Sequence, residues 1–257
     1  MMSILFRGTQ KALRRFRLPS KWGSTSIGVR HISKKKGQIP KPLELIYPES
    51  PNKGHSDLAT FLDYVERTSL DKRTTVYRGT HYEYTVADTL SQYGFSLKRV
   101  GGASDRGMDL LGTWKLPSTS KTIKVILQCK AGLRSVGPMY VRELKGALAA
   151  APPGWRGMDT LGLLVAEKPA TKGVQRDLNS AEVALGYVCC SKEGELVQLL
   201  WNYKAQEMGL EGISVGVRHG VGGQEKKLVL MKRGMILPLL EKVTPEEQET
   251  SRIPVDG

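Results

Sequence analysis

Apolar side chains recur along this chain with two different spacings, and the switches between them outline a fold. Between Asp57 and Leu70, the residues Leu58, Phe61, Leu62 and Val65 fall three or four apart, which stacks them on one face of a helix. A second helix is expected to begin at Thr80. Its hydroxyl can cap the first turn, with Glu83 three residues on as capping-box partner. Tyr82, Val86, Leu90 and Tyr93 make that helix's apolar stripe, and Gly94 ends it. The period then drops to two. Phe95 to Val100 alternates as a strand, Met108 to Trp114 is a short apolar strand with Asp109 embedded in it, and Ile123 to Lys130 is the next. The Pro- and Ser-containing stretch from Lys115 to Lys121 reads as the hairpin loop between them. Val141 to Ala151 returns to helical spacing and is stopped by Pro152-Pro153. Thr160 to Ala166 (TLGLLVA) reads as a buried strand. Thr171 to Ala184 is a helix with Val174, Leu178 and Ala181 inward, and Tyr187 to Cys190 is a short strand. Leu196 to Leu210 is a helix, or a strand running into one. The glycine-rich run Gly216 to Gly223 reads as a loop, and Lys227 to Met231 as an edge-like strand.

The resulting order is helix, three strands, helix, strand, helix, strand. It predicts an α/β domain over residues 57–240, a mixed sheet flanked by helices. The antiparallel opening separates it from a doubly wound nucleotide fold, and neither GxGxxG nor GxxxxGK[ST] occurs.

Charge adds an address to this picture. The 257 residues carry a formal net charge of +14, which favours polyanionic partners. The excess is uneven: the first 43 residues hold 11 Lys or Arg and no acid. Residues 1–32 account for +7, so a chain without them is only moderately basic. Within them Leu5, Leu13, Phe16 and Leu18 interleave with Arg7, Lys11, Arg14, Arg15 and Arg17 as a basic amphipathic helix. The stretch lacks the apolar run of a secretory signal, and no segment approaches the ~18 apolar residues of a membrane span. It is read as a mitochondrial presequence, with processing after Ile32 within Arg30-His31-Ile32-Ser33. A nucleic-acid-binding arm, or nuclear targeting through Lys34-Lys35-Lys36, is the other reading. Pro40, Pro42, Pro48 and Pro51 make residues 33–56 a linker, and 241–257 an acidic tail. The three cysteines, Cys129, Cys189 and Cys190, have no metal or disulfide spacing, and the four histidines form no metal motif.

An Asp inside an apolar strand is costly unless it is paired or binds a metal. Asp109 is such a residue, and Gln128-Cys129-Lys130 closes another strand nineteen residues later. Gln128 and Lys130 share a face by the period of two. If the strands pair, a carboxylate, an amide oxygen and an ammonium converge, with the Cys129 carbonyl between them. Mg²⁺ prefers hard oxygen ligands and activates water for phosphodiester hydrolysis, and a neighbouring lysine can stabilise the developing charge. A simple buried Asp–Lys pair would leave the same trace in the sequence.

The segments GTHYEYTVADTLSQYGFSLKRVGGASDRGMDLLGTW and KVILQCKAG resemble the PD-(D/E)xK nuclease superfamily, in particular its Mrr-like branch, in which QxK often replaces (D/E)xK. The resemblance implies a restriction-endonuclease-like core and a Mg²⁺ or Mn²⁺ cofactor. Glu83, Asp109, Gln128 and Lys130 would be the catalytic set, and Glu83, Asp109, Gln128 and Cys129 the metal set, with Asp105 an accessory acid. It further implies that Arg134, Arg142 and Lys145, on and before the next helix, contact nucleic acid, most naturally DNA, and that a homodimer would cut two strands. The chain also resembles a fungal mitochondrial family needed for respiratory growth, which points to the matrix. Two functions follow from these resemblances: an endonuclease acting on mitochondrial DNA, or a catalytically inactive nuclease-fold protein that binds DNA or RNA or assists assembly.

Overall fold

The computed structural model describes residues 45–48, 54–101, 107–116, 121–132, 134–220 and 226–241. The expected presequence, most of the linker, Asp105 and all but the first residue of the acidic tail lie outside the described residues.

The first helix, α1 (Leu58–Thr68), starts where Asp57 accepts the Thr60 N–H at 2.8 Å in a capping box. The second, α2 (Thr75–Ser91), begins before the expected start at Thr80, because Thr74 rather than Thr80 caps it by accepting the Tyr77 N–H. Thr80 is instead buried inside the helix, and Glu83 sits mid-helix rather than in a capping box. The stripe Tyr82, Val86, Leu90 and Tyr93 is buried as its spacing requires.

Six strands follow: β1 (Phe95–Arg99), β2 (Leu110–Lys115), β3 (Thr122–Lys130), β4 (Thr160–Ala166), β5 (Leu185–Cys190) and β6 (Leu196–Trp201). They form one sheet in sequence order. β1, β2 and β3 are antiparallel, β3, β4 and β5 parallel, and β6 returns antiparallel to β5. The parallel steps are made by helices α3 (Met139–Ala149) and α4 (Lys172–Asn179), as a parallel connection requires. Gly112 in β2 allows the β1–β2 approach, since a Cβ there would lie 1.9 Å from the Ser96 carbonyl oxygen.

The sheet is buried on both faces. On one side Val125, Leu127, Leu163 and Val188 pack with Tyr82, Val86 and Leu90 of α2. On the other, Leu164, Leu185 and Tyr187 meet α3 and α4, and Leu111 and Ile126 meet Ala147 and Trp155. Asn202, just after β6, is 2% exposed and fully used. Its Oδ1 accepts the Leu185 and Ala205 N–H groups, and its Nδ2 faces the carbonyls of Leu178, Ala181 and Val183 within 3.3 Å.

Beyond a short helix, α5 (Tyr203–Ala205), and a π-turn over Gln206–Leu210, the chain forms a second, three-stranded antiparallel sheet. Its strands are β7 (Ile213–His219), β8 (Lys226–Lys232) and β9 (Met235–Ile236). Two expectations fail here. The start of the glycine-rich run is strand, because Gly216 lies under the Met231 side chain in a regular ladder. The strand expected at an edge, β8, is the central one of three. Leu228 and Leu230 join the α2-side core. The expected linker also shortens: Leu45 and Tyr47 pack beside Trp155, whose indole N–H donates to the Ile46 carbonyl at 2.8 Å. His55 is buried too, its Nδ1 2.7 Å from the Tyr84 hydroxyl.

Candidate functional site

Asp109 stands one residue ahead of β2 and is held by the ladder on both sides. Its N–H donates to the Leu127 carbonyl at 2.9 Å, and its own carbonyl accepts from Val100 and Gly101. Its Oδ2 accepts the Cys129 N–H at 2.6 Å. The carboxylate is thereby drawn to the middle of Gln128-Cys129-Lys130, as strand pairing implied.

Gln128 is buried, and its Oε1 has no hydrogen-bond partner. Its amide lies against Gly107, where a Cβ would fall 2.8 Å from Nε2. Gly107 has φ +79°, which suits glycine twice over. Lys130 emerges toward α3, with Nζ 3.4 Å from Glu143 Oε2 and 4.7 Å from the Tyr140 ring centroid. The Cys129 side chain packs with the core on the α2 side. Burial pushes its thiol well above the usual range; the carboxylates of Asp109 and Glu83 add to the rise and Lys130 opposes it. With its side chain in that core, and sulfur too soft a ligand for Mg²⁺, only the Cys129 carbonyl would serve.

Glu83 reaches the sheet from α2, but its Oε2 accepts from Arg99 Nε at 2.5 Å, in a pair whose side chains are 13% and 10% exposed. Arg99 was legible only as one of several basic residues. Its parity gives it away: Phe95, Leu97 and Arg99 share one face of β1, and Phe95 is core. An inward arginine needs a carboxylate. The Glu143 partner of Lys130 was equally hidden, since it depends on how α3 docks.

The metal test rests on this donor set. Asp109 and Gln128 Oε1 are hard oxygens in one place, but Glu83 is committed to Arg99. Among the described residues no group of three or more His, Cys, Asp or Glu is arranged to hold a metal ion. As folded, Glu83 is held by Arg99 instead of being offered to a metal with Asp109 and Gln128.

Arg134, Arg142 and Lys145 are exposed, with Arg142 Nη1 3.1 Å from Asp177 of α4. The Gly132 N–H in the loop after β3 donates to Glu167 Oε1 at 2.7 Å. Residues 44–257 hold 28 Lys or Arg against all 25 acids, a net of only +3. Attraction to a polyanion therefore depends on local clustering.

Fold and site together define an α/β protein with a mixed sheet flanked by helices, whose strand ends gather an acid, an amide and a lysine. Residues 74–123 and 118–217 match the family described as Required for respiratory growth protein 7. These overlapping segments cover more than half of the chain, which belongs to that family. A mitochondrial protein of Schizosaccharomyces pombe is 32% identical over 155 residues, 59% of this chain and 61% of that protein. The mitochondrial Required for respiratory growth protein 7 of Vanderwaltozyma polyspora is 33% identical over 86 residues, 29% of this chain and 34% of that protein. Its namesake in Saccharomyces cerevisiae is 25% identical over 167 residues, 49% of this chain and 69% of that protein. The chain spans under two thirds of the first two relatives. Among solved structures, MspJI restriction endonuclease in complex with a 27-mer oligonucleotide aligns over 50% of this chain and 28% of that one. The identity is 18% and the TM-score 0.31, an overlap too slight to define the fold. No helix among the described residues is long and apolar enough to cross a membrane.

Proposed function

We propose that this is a mitochondrial protein that serves respiratory growth by holding nucleic acid at the strand-end site without hydrolysing it. The observation that carries the reading is the state of the acids: Glu83 is bound to Arg99, and no metal-holding group of acids forms among the described residues. Lys130 belongs to the site, and Arg134, Arg142 and Lys145 follow it in the chain as exposed cations after β3 and on α3. The Lys130–Glu143 and Arg142–Asp177 pairs lie near the surface, the second with Arg176 also 3.9 Å from the Asp177 carboxylate; exposed pairs are worth about 1 kcal/mol or less each, and phosphate oxygens can displace them. Such contacts position a backbone without reading its sequence. The mitochondrial assignment draws on the acid-free basic N-terminus and on the names of the relatives.

The test uses the full chain with fluorescently labelled linear, nicked, flap and four-way DNA, and with RNA of matched length. Anisotropy should report binding that weakens as salt rises, with no cleavage in Mg²⁺ or Mn²⁺. Salt-independent binding, or none, refutes phosphate recognition.

A second reading, a Mg²⁺- or Mn²⁺-dependent DNA endonuclease acting as a homodimer in the matrix, is favoured by one observation. Gln128 Oε1, a hard oxygen near Asp109, is buried without a partner. Cleavage lost in both Asp109→Ala and Lys130→Ala would replace the first reading with this one.

A further inference from the structure

Buried polar side-chain atoms are almost always hydrogen-bonded. Among the described residues two are not: Gln128 Oε1 and Arg99 Nη1. Both belong to residues that flank the backbone partners of Asp109, since Val100 donates to its carbonyl and Cys129 to its carboxylate. The acceptor is part of the site already described. The donor so far enters only as the partner of Glu83, and its own surroundings assign it a role.

The Arg99 guanidinium is engaged on two sides. Nε donates to Glu83 Oε2, and Nη2 to Thr80 Oγ1 at 3.4 Å. The third nitrogen, Nη1, is sealed from solvent with nothing to donate to. The group lies 5.9 Å from the Tyr84 ring centroid. Arginine stays charged in proteins, so this is a permanent cation beside the one acid that a divalent site would need to complete its shell. Arg99 offsets the charge of Glu83 where that acid would otherwise add to the shell of a divalent ion, whose affinity rises with ligand charge.

We propose that Arg99 is the resident cation of this site: its guanidinium holds Glu83 where a divalent ion would otherwise claim it, and so keeps the site closed to metal. Arg99 is a positioning residue, acting through Glu83. This deepens the reading of the site as non-hydrolytic and rests on it, but it concerns ion uptake and not nucleic acid, so the two can fail separately.

The experiment is Mn²⁺ titration of the full chain, with free Mn²⁺ read by electron paramagnetic resonance and folding checked by circular dichroism. The wild type should take up no Mn²⁺ at this site in the submillimolar range. Arg99→Met keeps the length of the side chain and removes its charge; it should bind one Mn²⁺ at least about tenfold more tightly than the wild type. Adding Asp109→Asn or Glu83→Gln to that variant should abolish the gain. Arg99→Lys, whose ammonium cannot hold Glu83 and Thr80 at once, should show a smaller gain and serves where the Met variant does not fold. Wild-type uptake as tight as that of Arg99→Met overturns the proposal, and so does a folded variant with no uptake. Failure of both variants to fold makes Arg99 a structural keystone and overturns it too.

Discussion

Replacing Gln128 by Met should make the protein more stable, which is the reverse of what a core substitution usually does. Gln128 is 3% exposed and its Oε1 has no partner. A buried acceptor left unsatisfied costs about 1–3 kcal/mol. Met has a similar length and flexibility and carries no polar head to desolvate. Part of the gain is offset, because the side chain ends against Gly107 and a bulkier terminus must be accommodated there. A net stabilisation of about 1 kcal/mol remains. With a urea m-value of about 2 kcal/mol/M, that moves the midpoint up by about 0.5 M. Trp114 and Trp155 are both fully buried, so tryptophan fluorescence follows the transition. The same variant should lose affinity for nucleic acid, the trade expected when a polar atom is kept unsatisfied for use. A lower midpoint at unchanged m would mean that Oε1 is satisfied in solution and would refute the reasoning. A higher midpoint with unchanged binding would remove Gln128 from the site while leaving the energetic argument intact.

Alanine at Arg134, Arg142 or Lys145 should weaken binding to all sequences alike and reduce the salt slope by about one for each phosphate that is no longer neutralised, as read by anisotropy titrations at several salt concentrations. Arg218 and Lys227 lie directly opposite across β7 and β8. Like charges so placed repel, so Arg218→Glu should stabilise the hairpin by about 0.5 kcal/mol in urea unfolding, and a destabilised variant would count against the register. Burial, reinforced by Arg99 and opposed by Asp57, lowers the His55 pKa from its ordinary value of about 6.5. The unfolded chain therefore takes up the proton first as pH falls. The His55 contribution is fully present above pH ~6.5 and is lost from there downward through the folded pKa. His55→Asn should flatten the pH dependence of the urea midpoint between about pH 7 and 5, and an unchanged slope would show that other groups set it.

Most elements were legible because their periodicity is strong. The seven buried residues of β4 and the α2 stripe of Tyr82, Val86 and Leu90 are where the spacing puts them. The misses have local causes. Gly79 interrupts the first turns of α2 and hid its true start, though packing along the helix carries it through. Gly216 masked the alternation of Ile213, Val215 and Val217, which is a genuine strand pattern. In the site, the period of two was enough to join Gln128 to Lys130, and the strand order was enough to bring Asp109 to Cys129. What could not be read was partnership across layers. That Arg99 claims Glu83, and Glu143 reaches Lys130, depends on how helices dock on the sheet, and no local pattern encodes the distance.

Asn202 links more of the molecule than its size suggests. One short amide ties the end of α4, the start of β5, and the turn from β6 into α5 into a single joint. Such a joint couples motions that would otherwise be separate. Lifting α4 away breaks the bonds to the Leu178 and Ala181 carbonyls, and the amide that remains is then less able to hold the Leu185 N–H in place. The C-terminal half of the large sheet should therefore open as one cooperative unit rather than fray from its β6 edge. In hydrogen exchange, Leu185 and Ala205 should share one opening free energy despite the distance between them in sequence. With Asn202 replaced by Ala, that unit would divide, and the β6 edge would begin to breathe on its own.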